Sequence, residues 1–281
     1  MRVRFIKYEG LGNDFIIVNN MDGMAALEPP QIAFLCNRHF GVGADGLIFI
    51  RPPQEKDADF FMEYYNSDGT AAEMCGNGIR CFSRFLWDEK LSDKSRLKIE
   101  TRAGLKVVDM LVDGEKVTGA SVDMGEPVLV PSVIPANYEG ENVINKPIVI
   151  DGAQINATFV SMGNPHCVIF VDDLKTAPVQ TLGPKIETSQ YFPQKTNVEF
   201  VEVLGRNQIS IRVWERGCGE TLACGTGACA ALVASSLNNK TDRSAVVNLL
   251  GGRLVIRWED DNHVTMAGAA NRVFTGSIEL Q

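Results

Sequence analysis

Apolar and polar residues alternate along two long stretches, LKIETRAGLKVVDML at 97–111 and AVVNLLGGRLVIRWE at 245–259, and each alternation breaks at a glycine, Gly104 and Gly252. A period of two predicts strands with one buried face, and the glycine predicts a hairpin turn. Ahead of each pair lies a denser strand-like run, FFMEYYNSDG at 60–69 and ISIRVWERGC at 209–218, which leads through a polar loop into a cysteine followed by Gly-X-Gly. Past each cysteine the period changes. Ile79, Phe82, Phe85 and Leu86 fall at helical spacing, while ACAALVASSL, from Ala228, is small and apolar nearly all round and predicts a helix enclosed by sheet.

The chain is thus written twice. Cys75 and Cys224 lie 149 residues apart, GNDF at 12–15 matches GNPH at 163–166 with Asn13 and Asn164 offset by 151, and VDMGEP at 122–127 parallels VTMAGA at 264–269. The order of elements predicts an α/β (α+β) protein of two pseudo-symmetric halves, each a mainly antiparallel sheet or barrel wrapped around one central helix, with an active site in the cleft between them. The boundaries expected are 1–125, completed by 270–281, and 126–269. The proline-bearing stretch around 125–152 reads as a linker or irregular strand.

Composition narrows the function. With 45% hydrophobic and 22% charged residues and no long apolar run, a membrane span is excluded. A net charge of -8 without a basic stripe argues against nucleic acid. Residues 1–15 carry no export signal pattern, so a cytoplasmic protein is expected, and seven cysteines there imply thiols rather than a disulfide framework. With three histidines and no zinc-like cysteine spacing, no metal site is expected. GVGADG at 41–46 fits a dinucleotide fingerprint formally, but it follows a helix-like QIAFLCNRHF and precedes a strand-like LIFI, the wrong order, and reads as a loop.

A cysteine at a helix start has its thiolate favoured by the helix dipole, and the unpaired N–H groups of the Gly-X-Gly turn can hold a carboxylate. Two such units facing one substrate could grip a single carboxylate and place a sulfur on each face of the adjacent carbon. One sulfur then removes a proton and the other delivers one, a two-base epimerisation without a cofactor.

GLGNDF, GVGADG, YNSDG, EMCGNG, GNPH, TNVEF, WERG and ACGTGA occur in order along the whole chain. In these motifs the chain resembles the diaminopimelate epimerase family. The resemblance implies conversion of LL- to meso-diaminopimelate for lysine and peptidoglycan precursor synthesis, with Cys75 and Cys224 as the acid–base pair and Cys224 the acceptor in the LL-to-meso direction. It implies that Gly76, Asn77, Gly225 and Thr226 bind the reacting-end carboxylate, that Asn13 holds the reacting-end amine, and that Asn66, Asn164, Asn197, Glu215 and Arg216 hold the distal end. It implies that His166 and Glu215 tune the sulfurs, that no cofactor is used, and that the protein is a homodimer. Some members carry Gln where this chain has Gly46, so water or backbone is expected to take over there. Two rivals remain open: a proline or hydroxyproline racemase-type enzyme, in which Asn77 would be His and Arg216 would have little use, and a thiol/disulfide redox switch.

Overall fold

The computed structural model describes residues 1–114 and 116–280; Glu115 and Gln281, the last residue of the predicted segment 270–281, lie outside the described residues. Two compact units form, one from Met1–Asp123 with Ala267–Gln281, the other from Met124–Met266.

In chain order the first unit contains β1 (Arg2–Gly10), β2 (Asn13–Asn19), α1 (Pro29–Cys36), β3 (Gly46–Arg51), β4 (Phe60–Asn66), β5 (Ala71–Ala72), α2 (Gly76–Asp88), β6 (Arg96–Thr101), β7 (Gly104–Asp113) and β8 (Lys116–Asp123). The second follows with β9 (Lys146–Ile150), β10 (Ala153–Ser161), β11 (Pro165–Phe170), α3 (Val179–Glu187), β12 (Asn197–Gly205), β13 (Gln208–Glu215), β14 (Gly219–Thr221), α4 (Gly225–Leu237), β15 (Ser244–Leu249) and β16 (Gly252–Trp258). The chain ends with β17 (Val264–Ala269) and β18 (Asn271–Glu279), and β18 pairs antiparallel with β1.

The duplicated sequence becomes duplicated pairing. In the first unit β2 runs parallel to β3, with Phe15 opposite Gly46, and β4 then pairs antiparallel with β3 and β5 and parallel with β6. In the second, β11 runs parallel to β12, with His166 opposite Asn197, and β13 pairs antiparallel with β12 and β14 and parallel with β15. The two predicted hairpins are present, closing at Thr101 opposite Gly104 and Leu249 opposite Gly252, where both glycines hold positive φ. The predicted mainly antiparallel sheet around a central helix is what each unit shows.

The helices differ as their sequences require. In α2, Ile79, Phe82, Phe85 and Leu86 are buried along with Arg80, while Trp87 and Asp88 reach the rim. Along α4, residues 227 to 235 are buried without interruption, because alanines, Leu232 and Val233 can meet sheet on every side. Removing such a side chain would cost about 2–5 kcal/mol where it is as large as leucine.

The stretch 125–152 is not a linker. Ile134, Ala136, Val143, Ile148 and Ile150 are buried in the second unit's core beside Phe159, Phe192 and Phe200, and Lys146–Ile150 form β9 against β10. The prolines there interrupt regular structure, but the apolar side chains between them still need a core. Among the described residues no helix is long and apolar enough to cross a membrane.

Candidate active site

In the first unit Cys75 is the N-cap of α2: its backbone is extended and its Sγ accepts from the Gly78 N–H at 3.4 Å. The sulfur is half-buried and donates to Asn13 Oδ1 at 3.6 Å. Asn13, the first residue of β2, also accepts from Asn77 Nδ2 at 3.3 Å, and donates its own Nδ2 to Asp45 at 2.7 Å. Asn77 is fixed in turn by the buried Arg80, which donates to Asn77 Oδ1 at 2.9 Å and to the Gly76 carbonyl at 3.1 Å. Cys75, Gly76, Asn77 and Asn13 thus lie together at the start of α2.

Arg80 and Asp45 are additions that motif reading passed over, although both lie in quoted motif stretches. A guanidinium buried one turn into the helix can lend its charge to an anion at the helix start. Asp45 shares Arg38 with Asp14, and Lys7 reaches Asp14 at 2.7 Å, so the loop carrying Asp45 is anchored by ion pairs. Burial pushes the Asp14 carboxyl upward, but hydrogen bonds from Arg38 and Lys7 outweigh it and hold the group well below the usual carboxylate range.

Asn66 ends β4 opposite Gly46 and donates to Thr70 Oγ1 at 3.0 Å. The space beside Gly46 is occupied by both a side chain and the backbone. A Cβ there would lie 2.6 Å from Tyr64 Cε2 and from the Tyr65 carbonyl, and 3.1 Å from the Tyr64 hydroxyl.

In the second unit Cys224 holds the equivalent N-cap of α4, but its surroundings differ. It is 7% exposed, and its sulfur lies 3.5 Å from Thr226 Oγ1. Burial, and then the carboxylates of Glu215 and Glu199, push the Cys224 thiol well above its ordinary range. The expectation that the helix start favours a thiolate therefore does not hold for Cys224 at rest; two nearby carboxylates outweigh a half-charge dipole. Glu215, which also accepts from Thr221, is itself raised by burial, so it can take up a proton. A Cβ on Gly225 would lie 2.9 Å from Met266 Sδ, the end of a flexible side chain that would have to shift to admit it.

His166 is fully buried, with Nδ1 2.7 Å from Glu199 Oε1 and Nε2 3.0 Å from Asn164 Oδ1. Glu199, inside the quoted TNVEF, was not singled out from sequence; a glutamate in the middle of an apolar strand was the available signal. It is fully buried, its Oε2 has no hydrogen-bond partner among the described residues, and burial raises it.

Asn197 is 3% exposed and both ends of its amide are engaged by the main chain, donating to the Pro165 carbonyl at 2.9 Å and accepting from the Arg216 N–H at 3.0 Å. It holds the Arg216 backbone in place. The Arg216 side chain is exposed, with one contact to the Gln194 carbonyl at 3.4 Å. Among the described residues no cluster of three or more potential ligands could hold a metal ion.

The family model described as diaminopimelate epimerase matches residues 5–130 and 158–273. A diaminopimelate epimerase of Leptospira biflexa is 48% identical over 282 residues, covering 100% of both chains. A diaminopimelate epimerase of Acetivibrio thermocellus is 48% identical over 280 residues, covering 99% of both. Among solved structures, a phenazine biosynthesis protein of the PhzF family from Bacillus anthracis superposes with a TM-score of 0.71 at 16% identity, covering 100% of both chains, a likeness that shows the fold alone.

Proposed function

The chain belongs to the diaminopimelate epimerase family, and on that premise we propose that Cys75 and Cys224 act on opposite faces of one α-carbon to interconvert LL- and meso-diaminopimelate. The observation that carries the reading is the pair of cysteine-capped helix starts, repeated in each unit and each ringed by polar strand-end residues.

In the LL-to-meso direction Cys224 first passes its proton to Glu215, the carboxylate whose charge bears most strongly on its thiol. The resulting thiolate takes the α-hydrogen, and the electron pair left on carbon spreads into the carboxylate as an enolate. The Cys75 thiol then protonates the opposite face and becomes the thiolate. Proton return from Glu215 through solvent resets the pair. The first-turn N–H groups of Gly76, Asn77, Gly225 and Thr226 hold the carboxylate as its charge grows, which lowers the barrier without a cofactor. Asn13 holds the reacting-end amine. Asn66, Asn164 and Arg216 bind the distal end, the guanidinium matching its carboxylate bidentately, and Asn197 positions Arg216. We further place the enzyme in the cytoplasm as a homodimer, which sedimentation velocity tests directly.

The decisive experiment follows α-hydrogen exchange in deuterated water with LL- and meso-diaminopimelate and with L-proline, for the parent and for Cys75→Ala and Cys224→Ala. The reading requires exchange confined to diaminopimelate and lost in both variants. Exchange of proline instead, or survival of epimerisation in either variant, would sink it.

A further inference from the structure

Asn13 and Asn164 are equivalent residues of the repeat, yet their amides are pinned by opposite ends. In the first unit the order of donors and acceptors is forced from both sides. Arg80 can only donate, and it claims Asn77 Oδ1; Asn77 must then donate its Nδ2 to Asn13 Oδ1. At the far end the Asp45 carboxylate can only accept, and it claims Asn13 Nδ2. The carbonyl is the end of Asn13 that faces the Cys75 sulfur.

In the second unit the polarity is reversed. Asn164 turns its Oδ1 to His166 Nε2, a bond in which Nε2 donates; Nδ1, 2.7 Å from Glu199 Oε1, then accepts from the carboxyl that burial keeps protonated, or donates to its carboxylate in the imidazolium form. Both ring nitrogens are thereby engaged. The Asn164 Nδ2 has no partner among the described residues, so the NH2 is the end on offer.

The residues that impose this polarity are not repeated. His166 on β11 and Glu199 on β12 stand at the register positions held by Phe15 on β2 and Ile48 on β3, and Asp45 stands where the second half has the buried Thr196. Two other observations show that the replacement is built in. Glu199 is buried with a bare oxygen, and a Cβ on Gly227 would lie 2.8 Å from Glu199 Oε1, so glycine keeps its space open.

We propose that Asp45 in one half, and the Glu199–His166 pair in the other, are positioning residues that set the two asparagines to opposite polarity. Asn13 then offers a carbonyl to a substrate ammonium and Asn164 offers an NH2 to a substrate carboxylate. This rests on the diaminopimelate reading and adds to it the device by which two related halves tell apart the ammonium and carboxylate groups of a substrate carrying two of each. His166 on this account acts through Asn164 and does not carry the reaction's proton.

Two measurements test it. Nitrogen-15 NMR of the three histidines, on the parent, must show His166 Nε2 bearing a hydrogen from pH 6 to 8.5; a bare Nε2 overturns the inference whatever the substrate is. Asn164→Asp keeps the oxygen that accepts from His166 and replaces the NH2 with a second oxygen. It should raise KM for diaminopimelate about tenfold or more, with kcat changed less than about threefold. Transplanting the first half's apolar pair as His166→Phe with Glu199→Ile frees Asn164 to rotate and should raise KM in the same way, with both limbs of the kcat pH profile retained and the limb set by Cys224 moved to lower pH, because Glu199 is one of the charges that raise that thiol. Replacing a buried ionic pair by apolar residues is compatible with folding. An unchanged KM in Asn164→Asp overturns the proposal, as does a double variant in which kcat collapses and one limb of the pH profile disappears. A parent that exchanges no diaminopimelate α-hydrogen refutes the diaminopimelate reading instead, and the NMR result still judges the pinning.

Discussion

The third residue of each catalytic helix is a glycine, Gly78 and Gly227, and the same substitution in the two halves should have opposite consequences. An alanine Cβ at 78 would meet Ile48 Cδ1 at 3.2 Å, Cys75 Cβ at 3.3 Å and Met62 Cε at 3.3 Å. Two of those are ends of flexible apolar side chains that can yield a few tenths of an ångström. Alanine also gains about 0.5–1 kcal/mol over glycine in a helix. Gly78→Ala should therefore leave stability within about 1 kcal/mol of the parent. At 227 the same Cβ would sit 2.8 Å from Glu199 Oε1 and 3.3 Å from both Cys224 Cβ and Sγ. Glu199 cannot yield freely, since it is fully buried and held at 2.7 Å to His166. Overpacking of that kind costs about 1–3 kcal/mol, which exceeds the helix gain. The net loss should lower the melting temperature by several degrees, at about 2–4 °C per kcal/mol for a domain of 150–250 residues. Displacing the sulfur by about 1 Å should also cut turnover by roughly a hundredfold. Differential scanning calorimetry and an epimerisation assay on both variants decide the matter. If Gly227→Ala melts and turns over like Gly78→Ala, the crowding of Glu199 against the Cys224 turn is not as described.

The repeat made much of this fold readable. A strand into a polar loop, a Cys-Gly-X-Gly helix start and a glycine-turned hairpin are local signals, and in duplicate they fixed the element order of both halves. The cysteine caps were readable for the same reason, since capping is decided within four residues. What sequence could not show was which partner each polar group meets across strands. Asn197 carries the same amide as Asn13, and only the register opposite His166 shows it serving the Arg216 backbone. The state of Cys224 escaped for a related reason: the helix dipole is a local feature, whereas Glu199 comes from 25 residues upstream on a neighbouring strand. Of the two readings open for 125–152, linker or irregular strand, the structure has irregular chain ending in a strand, and sequence could not choose between them because proline content reports irregular backbone and says nothing about whether intervening side chains are buried.

The remaining expectations concern the reacting groups. Cys75→Ala and Cys224→Ala should each lower epimerisation by at least about 10³-fold with the fold retained, as measured by optical rotation and circular dichroism. Arg216→Ala should raise KM for diaminopimelate about tenfold or more through loss of a charge-assisted contact, with kcat little changed, so a lowered kcat at unchanged KM would remove Arg216 from the distal subsite. Glu215→Gln should separate the two thiols. In the parent, burial and two carboxylates hold Cys224 protonated through neutral pH, so its alkylation by iodoacetamide should be slow there and should accelerate only at high pH. Removing the Glu215 charge takes away a group that raises the thiol, so the onset of Cys224 alkylation must move to lower pH, read peptide by peptide in a mass spectrometer. Epimerisation should nevertheless fall, by roughly 10²–10⁴-fold, because the acceptor for the Cys224 proton is gone. The combination is diagnostic: a thiol made more reactive toward alkylation in an enzyme made slower points to Glu215 as the proton partner, and an onset that stays put or moves to higher pH would show that another group sets the state of that sulfur.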